Sequence, residues 1–296
     1  MFKSAIVESL RWTSPIFTIV RYIDDTDVVP GAATLIVVNA DGWVLTCKHV
    51  LNELLAAEQV AVRRGAFLAD KSALGPKPSK TSLKKLRAKH GYEAEPVYEL
   101  LHQLSVVDTF SGYTYHAHPD YDLALIKITG FTQLRVSSFP TFSAAPSPPA
   151  HGEFLCRVGF PFPEFTHFHF DAATDSIGWT AGASSTTPYF PLEGMVTRHL
   201  RGAAGDIFGF EMSTPGLRGQ SGGPVVDAAG VVHGMQFETA HLDLNFDVKT
   251  QVRRGPSKPK VTSTPFLHVG RAVSAHAICA FMTANGVTFK SGAPVP

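Results

Sequence analysis

The run Gly219-Gln220-Ser221-Gly222-Gly223-Pro224 places one hydroxyl among three glycines, a pattern that arises by chance about once in a million positions. Glycine lacks a Cβ and tolerates left-handed or strained dihedrals, so the backbone can turn tightly around Ser221 and aim its amides outward. Two amides converging on one point, those of Gly219 and Ser221, could hold an oxyanion. A serine hydroxyl needs a base to take its proton. Among 13 histidines, His49 stands out in Thr46-Cys47-Lys48-His49-Val50, directly after the apolar run Trp43-Val44-Leu45. Asp122, in His118-Pro119-Asp120-Tyr121-Asp122 and just ahead of Leu123-Ala124-Leu125-Ile126, sits where a carboxylate can orient an imidazole. The chemistry such a set supports is nucleophilic attack on a carbonyl. Each member also has a plainer reading: a glycine-rich turn, a structural histidine at a strand end, and an aspartate opening a strand.

The elements that must position these residues read as short strands. Runs over 16–22, 33–38, 43–46, 123–129, 153–159, 208–212, 225–226 and 231–237 are strand-length and bounded by Gly, Pro, Asn or Asp. Asn39-Ala40-Asp41-Gly42 and Asp227-Ala228-Ala229-Gly230 read as hairpin turns. Many short strands with such punctuation predict a sandwich or barrel. One helix is expected near the end, with Ser274 as N-cap, Ile278, Phe281 and Met282 on one face, and Asn285-Gly286 as the stop. The Ser- and Pro-rich segment 131–152 reads as a connector between an N-terminal unit, 1–130, and a C-terminal unit, 153–296. The segments 63–91 and 239–264 read as irregular, and the insertions 77–89 and 239–264 are expected to be mobile and dispensable for the fold.

Thr46 to His49, Asp122 to Leu125 and Gly219 to Pro224 together resemble the trypsin/chymotrypsin-like serine peptidases, in particular the bacterial branch that includes the high-temperature-requirement proteases. The order T-x-x-H, D-[IL]-A-L, G-[DN]-S-G-G-P is kept, with Gln220 the one departure. The resemblance implies two packed six-stranded antiparallel β-barrels and a C-terminal helix, with His49 and Asp122 from the first barrel and Ser221 from the second. It implies that Ser221 attacks a peptide carbonyl, that His49 serves as base and then acid, that Asp122 holds the imidazole, and that the Gly219 and Ser221 amides form the oxyanion hole. Gln220 stands where digestive members carry an aspartate that pairs with a newly cleaved N-terminus, so that route of activation is not expected. Pro215 stands where a preference for Arg or Lys uses an aspartate. The opposite wall of the substrate pocket is expected at Gln236, Phe237 and Glu238, with Glu238 able to restore affinity for a cation if it points inward.

Other classes fit less well. Gly219-Gln220-Ser221-Gly222-Gly223 also satisfies the α/β-hydrolase elbow, but that fold needs interleaved helices and a histidine after the serine. His167 and His169 share one strand face without a third ligand at suitable spacing, so no metal or cofactor is expected. Cys47, Cys156 and Cys279 cannot form a disulfide framework, and the odd count leaves a thiol free. A reducing, cytoplasmic setting is expected, with no signal peptide and no apolar run of membrane-spanning length. The 296 residues are 44% hydrophobic and 17% charged with net charge +1, which excludes a disordered chain and a global field for nucleic acid. Lys77, Lys80, Lys84, Lys85, Arg87 and Lys89 put six cations into 13 residues. This run reads as a solvated face or a site for an acidic protein partner or nucleic acid. A second reading of the whole chain follows: a protease-fold binding or regulatory module, silent in isolation. The first reading is a serine endopeptidase acting on proteins or peptides, restrained inside the cell.

Overall fold

The computed structural model describes residues 1–165, 168–180, 185–251 and 260–292. A short helix α1 (Lys3–Ser9) leads into β1 (Thr13–Tyr22), β2 (Val28–Val37) and β3 (Trp43–Thr46). Two helices follow, α2 (Lys48–Ala73) and α3 (Lys80–Lys89), then β4 (Val97–Leu104), β5 (Gly112–Ala117) and β6 (Ala124–Thr129). The six strands form one sheet in the order β4-β1-β2-β3-β6-β5. Next come β7 (Thr141–Ser143) and β8 (Phe154–Arg157), then two small pairs, β9 (Glu164–Phe165) with β12 (Ser185–Thr186) and β10 (Phe168–Asp171) with β11 (Ser176–Trp179). The remaining strands are β13 (Leu192–Arg201), β14 (Ile207–Met212), β15 (Pro224–Val226), β16 (Val232–Asp243), β17 (Val248–Gln251), β18 (Lys260–Ser263) and β19 (Phe266–Ser274), before α4 (Ala275–Ala284) and β20 (Lys290–Gly292).

In the second half β8, β13, β14, β19, β16 and β15 run in sequence around a closed ring, because β15 pairs with both β8 and β16. Closure leaves no edge in that ring. The architecture is mostly β, with six strands in each principal unit and a C-terminal helix, in line with the expected double barrel. Both expected hairpins form, at Gly42 (φ +84°) and Gly230 (φ +85°), where the positive φ suits glycine. At α4 the Ser274 hydroxyl accepts the Ala277 N–H at 3.3 Å, Ile278 and Met282 are buried, and Gly286 (φ +68°) follows the helix end. Leu35, Val44, Leu125, Val158, Val232 and Ile278 belong to one buried cluster, so a single core spans both sheets.

Three segments differ from expectation. The segment 63–91 is helical, not irregular: α2 runs on from Lys48 through Leu, Ala, Glu and Arg, all good helix formers, until Gly75-Pro76 stops it. Ser79 caps α3, accepting the Ser82 N–H at 3.1 Å. The two helices pack on β4 through Phe67, Leu86, Tyr92 and Tyr98. Of the six cations, Arg87 pairs with Asp24 at 2.6 Å and Lys89 with Asp70 at 2.7 Å, while Lys77, Lys80, Lys84 and Lys85 are exposed. The segment 239–264 is also structured where described: β16 continues to Asp243 against β19, and β17 pairs with β18. The segment 131–152 contributes β7, which lies parallel to β16 and β20. Among the described residues no helix is long and apolar enough to cross a membrane.

Because Phe67 is 3% exposed and stacks edge-on against Tyr92 and Tyr98, Phe67→Ala should destabilise the protein by about 3 to 5 kcal/mol. The denaturant midpoint of the full chain reads this directly, and an unchanged midpoint would return 63–91 to the status of a loose insertion.

Candidate active site

His49 lies in the first turn of α2, where backbone N–H groups have no intrahelical acceptor. Pairing of β3 with β6 sets Thr46 opposite Ala124 and so brings the start of α2 beside Asp122. One carboxylate oxygen of Asp122 accepts the His49 backbone N–H at 2.9 Å, and the other meets His49 Nδ1 at 2.6 Å. Asp122 thus caps a helix N-terminus and fixes an imidazole at once. Lys48 Nζ steadies the loop before it, donating to the His118 and Pro119 carbonyls at 2.8 and 3.1 Å. The contact with Asp122 raises the His49 pKa above the ordinary 6.5, against the opposing effect of burial. Since Nδ1 faces the carboxylate, the proton sits there and Nε2 is left as the acceptor.

Ser221 and His49 line one groove of about 370 Å³, together with Val20 and Ala32 of the first sheet, Leu100 of β4, and Arg218. The Gly219-Ser221 loop is held from three directions. Thr34 N–H donates to the Ser221 carbonyl at 2.8 Å, and Thr34 Oγ1 donates to the Gly219 carbonyl at 2.9 Å while accepting the Phe160 N–H at 3.3 Å. A side chain at Gly222 would collide with the Thr34 carbonyl and Thr46 Oγ1, and one at Gly223 with the Val158 carbonyl. Gln220, fully buried, spans the loop with neutral hydrogen bonds: its Oε1 accepts the Leu217 N–H at 2.9 Å and its Nε2 donates to the Phe190 carbonyl at 2.8 Å.

The amides around Ser221 alternate in use. Gln220, Gly222 and Gly223 donate to the carbonyls of Leu217, Gln236 and Gln220, at 2.9, 2.9 and 2.8 Å. Among the described residues the Gly219 and Ser221 amides have no such acceptor. Gly219 has φ +101°, and a Cβ there would strike the Phe160 carbonyl. The arrangement offers a hydroxyl, two undonated amides and an oriented imidazole along one groove, which is the equipment for acyl transfer.

Pro215 and Gln236 to Glu238 also come together beside this loop. Thr239 Oγ1 donates to the Gly216 carbonyl at 2.8 Å, and a side chain at Gly216 would meet the Gln236 amide. Gln236 is buried, its Nε2 donating to the Glu238 carbonyl at 2.6 Å. Phe237 stands against Phe208, with ring centroids 6.3 Å apart. The Glu238 carboxylate, expected as a partner for a substrate cation, is instead paired with Arg271 at 2.9 Å. Cys47 is buried beneath the site, its Sγ donating to the Gln236 carbonyl at 3.3 Å, and burial pushes its pKa well up, so it stays a neutral thiol. Cys47, His49 and Asp122 gather within a few ångströms, yet that thiol and the Asp122 contact of Nδ1 leave a poor ligand set. His169 Nδ1 is 2.7 Å from Thr180 Oγ1, and His167 lies outside the described residues.

Reading the sequence alone misses Thr34 and Arg157, because neither sits in a motif. Arg157, in β8, is 0% exposed; it donates to the Pro215 carbonyl, to the Thr214 carbonyl at 3.0 Å, and lies 3.4 Å from Met212 Sδ. A basic residue inside an apolar strand, Phe154-Leu155-Cys156-Arg157-Val158, is the signal that could have flagged it.

Two barrel-forming sheets with an imidazole and carboxylate on one and a glycine-cradled serine on the other define a peptidase fold. The chain belongs to the trypsin-like peptidase domain family, whose model matches residues 33–235. Among solved structures it is similar to the Rv3671c protease from M. tuberculosis in its active form, at 13% identity over 97% of this chain and 86% of that one, with TM-score 0.45. It is also similar to the HtrA-type protease AlgW solved with a tripeptide, at 14% identity over 96% of this chain and 63% of that one, with TM-score 0.44. No curated protein matches the chain.

Two outcomes follow from this geometry. Asp122→Asn removes the cause of the upward shift, so the His49 titration midpoint should fall toward or below 6.5 when followed by imidazole NMR; an unmoved midpoint would show the carboxylate to be irrelevant. The sign for stability is set by the same shift. Folding raises the His49 pKa, so the pair stabilises fully below the unfolded value and that share is lost as pH rises through the folded one. Thr34→Val strips Gly219 and Phe160 of a buried partner and should cost about 1 to 3 kcal/mol, seen as a lower thermal midpoint.

Proposed function

We propose that the protein is a serine endopeptidase in which Ser221, His49 and Asp122 act together through an acyl-enzyme. The observation that carries the reading is the double contact of Asp122 with His49 at a groove shared with Ser221, whose loop leaves the Gly219 and Ser221 amides undonated.

Ser221 Oγ attacks the peptide carbonyl carbon as its proton passes to His49 Nε2. The carbonyl oxygen takes up the electron pair and is held by the two amides. Collapse re-forms the carbonyl, breaks the C–N bond and returns the proton to the departing amine, leaving an ester on Ser221. Water then attacks that ester, again giving its proton to His49, and the acid product leaves with Ser221 restored. Asp122 stays ionised, stabilising the imidazolium and holding its tautomer. Gln220 supports the loop with neutral hydrogen bonds, so the reading needs no new N-terminus to form the oxyanion hole. Substrates are proteins or peptides.

A fluorophosphonate probe should modify Ser221, located by mass spectrometry, and Ser221→Ala should abolish the adduct and lower peptide cleavage by a factor on the order of 10⁶. Labelling at another residue would remove Ser221 from the mechanism. His49 must be neutral to accept a proton, so kcat/KM should rise with pH along a limb centred above 6.5. A limb centred below that value would contradict the role given to Asp122.

A further inference from the structure

Asp122 lies in the loop 118–123 between β5 and β6, in neither strand nor helix, so the direction of its carboxylate depends on what holds that loop. Bonds inside the loop give it shape. His118 N–H donates to the Leu123 carbonyl and Leu123 N–H to the Tyr121 carbonyl, both at 2.9 Å. His118 Nδ1 accepts the Asp120 and Tyr121 N–H groups, each at 3.1 Å. None of these bonds ties the loop to the second half of the protein, where Ser221 lies. A cavity of about 520 Å³, lined among others by His118, Tyr121, Asp206 and Phe208, opens beside it, so packing on that side of the loop is thin.

Tyr121, the neighbour of Asp122, makes the connection to the second half. Its ring is stacked between His118, with centroids 4.3 Å apart and planes at 16°, and Phe208 of β14, at 4.5 Å and 10°. Its hydroxyl donates to the Asp206 carboxylate, in the turn that leads into β14. That turn is shaped for the bond. Gly202 N–H donates to the Asp206 carbonyl at 2.8 Å, and a side chain at Gly202 would collide with the Asp206 carboxylate and crowd the Tyr121 hydroxyl. The bond to Asp206 pushes the Tyr121 pKa up to about 12, so the phenol stays a donor at neutral pH. Contacts continue past Phe208 to the serine loop. Phe208 faces Phe237 with centroids 6.3 Å apart, and the adjacent Gln236 accepts the Gly222 N–H at 2.9 Å and donates to the Gly223 carbonyl at 2.8 Å. Packed and hydrogen-bonded groups therefore join the Asp122 loop to the Ser221 loop by a route that does not pass through Thr34.

We propose that Tyr121 is a positioning residue: clamped by Asp206 and Phe208 of the second half, it fixes the loop that aims the Asp122 carboxylate at His49. Thr34 sets how closely the two halves approach, and Tyr121 sets how the Asp122 loop is turned between them. A loop released from the clamp would loosen both Asp122 bonds to His49, at 2.9 and 2.6 Å, and with them the tautomer that leaves Nε2 as the acceptor. Misplacement of reacting groups by about 1 Å can cost on the order of 10²-fold in rate. The kinetic consequence rests on the peptidase reading; the hold on Asp122 does not, and it can be measured without turnover.

Two variants of the full chain test this. Tyr121→Phe loses the bond to Asp206 and keeps the ring stack, whereas Tyr121→Leu loses both. The His49 titration midpoint, followed by imidazole NMR with Ser221→Ala as the parent, should fall toward 6.5 in each, further in Tyr121→Leu. Glu53, the other acid that raises the His49 pKa, is untouched, so the fall reports the Asp122 contact. With Ser221 present, Tyr121→Leu should lower kcat for peptide cleavage about tenfold or more and leave KM within about twofold. A role confined to stability would lower the thermal midpoint and leave the His49 midpoint where it was. A folded Tyr121→Leu protein with the parent's His49 midpoint overturns the proposal, as does one with the parent's kcat. Should Tyr121→Leu not fold, Tyr121→Phe decides: a lowered His49 midpoint supports the clamp and an unchanged one removes it. If the midpoints fall but the unsubstituted protein cuts no peptide and takes no fluorophosphonate, the peptidase reading has failed while the hold of Tyr121 on the His49–Asp122 pair stands.

Discussion

The backbone of the Ser221 loop passes so close to strand β2 that a single Cβ would keep the two sheets apart. At Gly222 that atom would overlap the Thr34 carbonyl, and at Gly223 the Val158 carbonyl. The absence of a side chain at Gly222 lets Thr34 exchange hydrogen bonds with Ser221, Gly219 and Phe160, while the bare Gly223 seats the loop on Val158, which follows β8 within its own half. Everything else in the site is registered on that contact. His49 and Asp122 belong to the first sheet, so their relation to Ser221 depends on how closely the two halves meet. Thr46 Oγ1, donating to the Thr34 carbonyl at 3.0 Å, ties the strand that leads to His49 into the same junction.

Electrostatics then does locally what net charge cannot. A chain with net charge +1 has no long-range field to speak of, yet its buried charges are arranged with care for partners. Asp122 uses the free N–H and the positive end of α2 as well as the imidazole, which is why one carboxylate serves both a helix and a histidine. In the first half Arg21 reaches Glu99 at 2.6 Å and Asp175 at 3.2 Å, while Arg64 meets Glu99 at 3.2 Å. Asp175 (φ +50°) sits at the turn between β10 and β11, so these ion pairs dock a hairpin of the second half onto β1 and α2. Arg157 is the exception, a buried guanidinium whose partners are two carbonyls and a thioether.

The helical segment earns its place through burial rather than charge. Phe67, Leu86, Tyr92 and Tyr98 make a core separate from the main one, on the far side of β4. The exposed lysines ride on the outer face of α3. Lys80, Lys84 and Lys85 are exposed there while Leu86 is buried and holds the helix to the fold, so a basic surface and a structural role coexist in one element.

The sequence by itself singled out the candidate chemistry-bearing residues and determined the local turns. Ser221, His49 and Asp122 were legible because each lies in a short motif whose residue types are dictated by backbone geometry within a few positions, and the hairpins at Gly42 and Gly230 and the cap at Ser274 are local in the same sense. Helices α2 and α3 were hidden because their buried apolar residues are few and are split between the main core, through Val50, Leu51 and Leu54, and the small cluster on β4, through Phe67 and Leu86, so a weak 3.6-residue pattern passed for none. The pairing of Glu238 with Arg271, the hub at Thr34 and the burial of Arg157 were beyond reach for a different reason. Each joins residues tens to more than a hundred positions apart, and whether a charge meets its opposite, a carbonyl or water is decided only when the strands that carry them are set side by side.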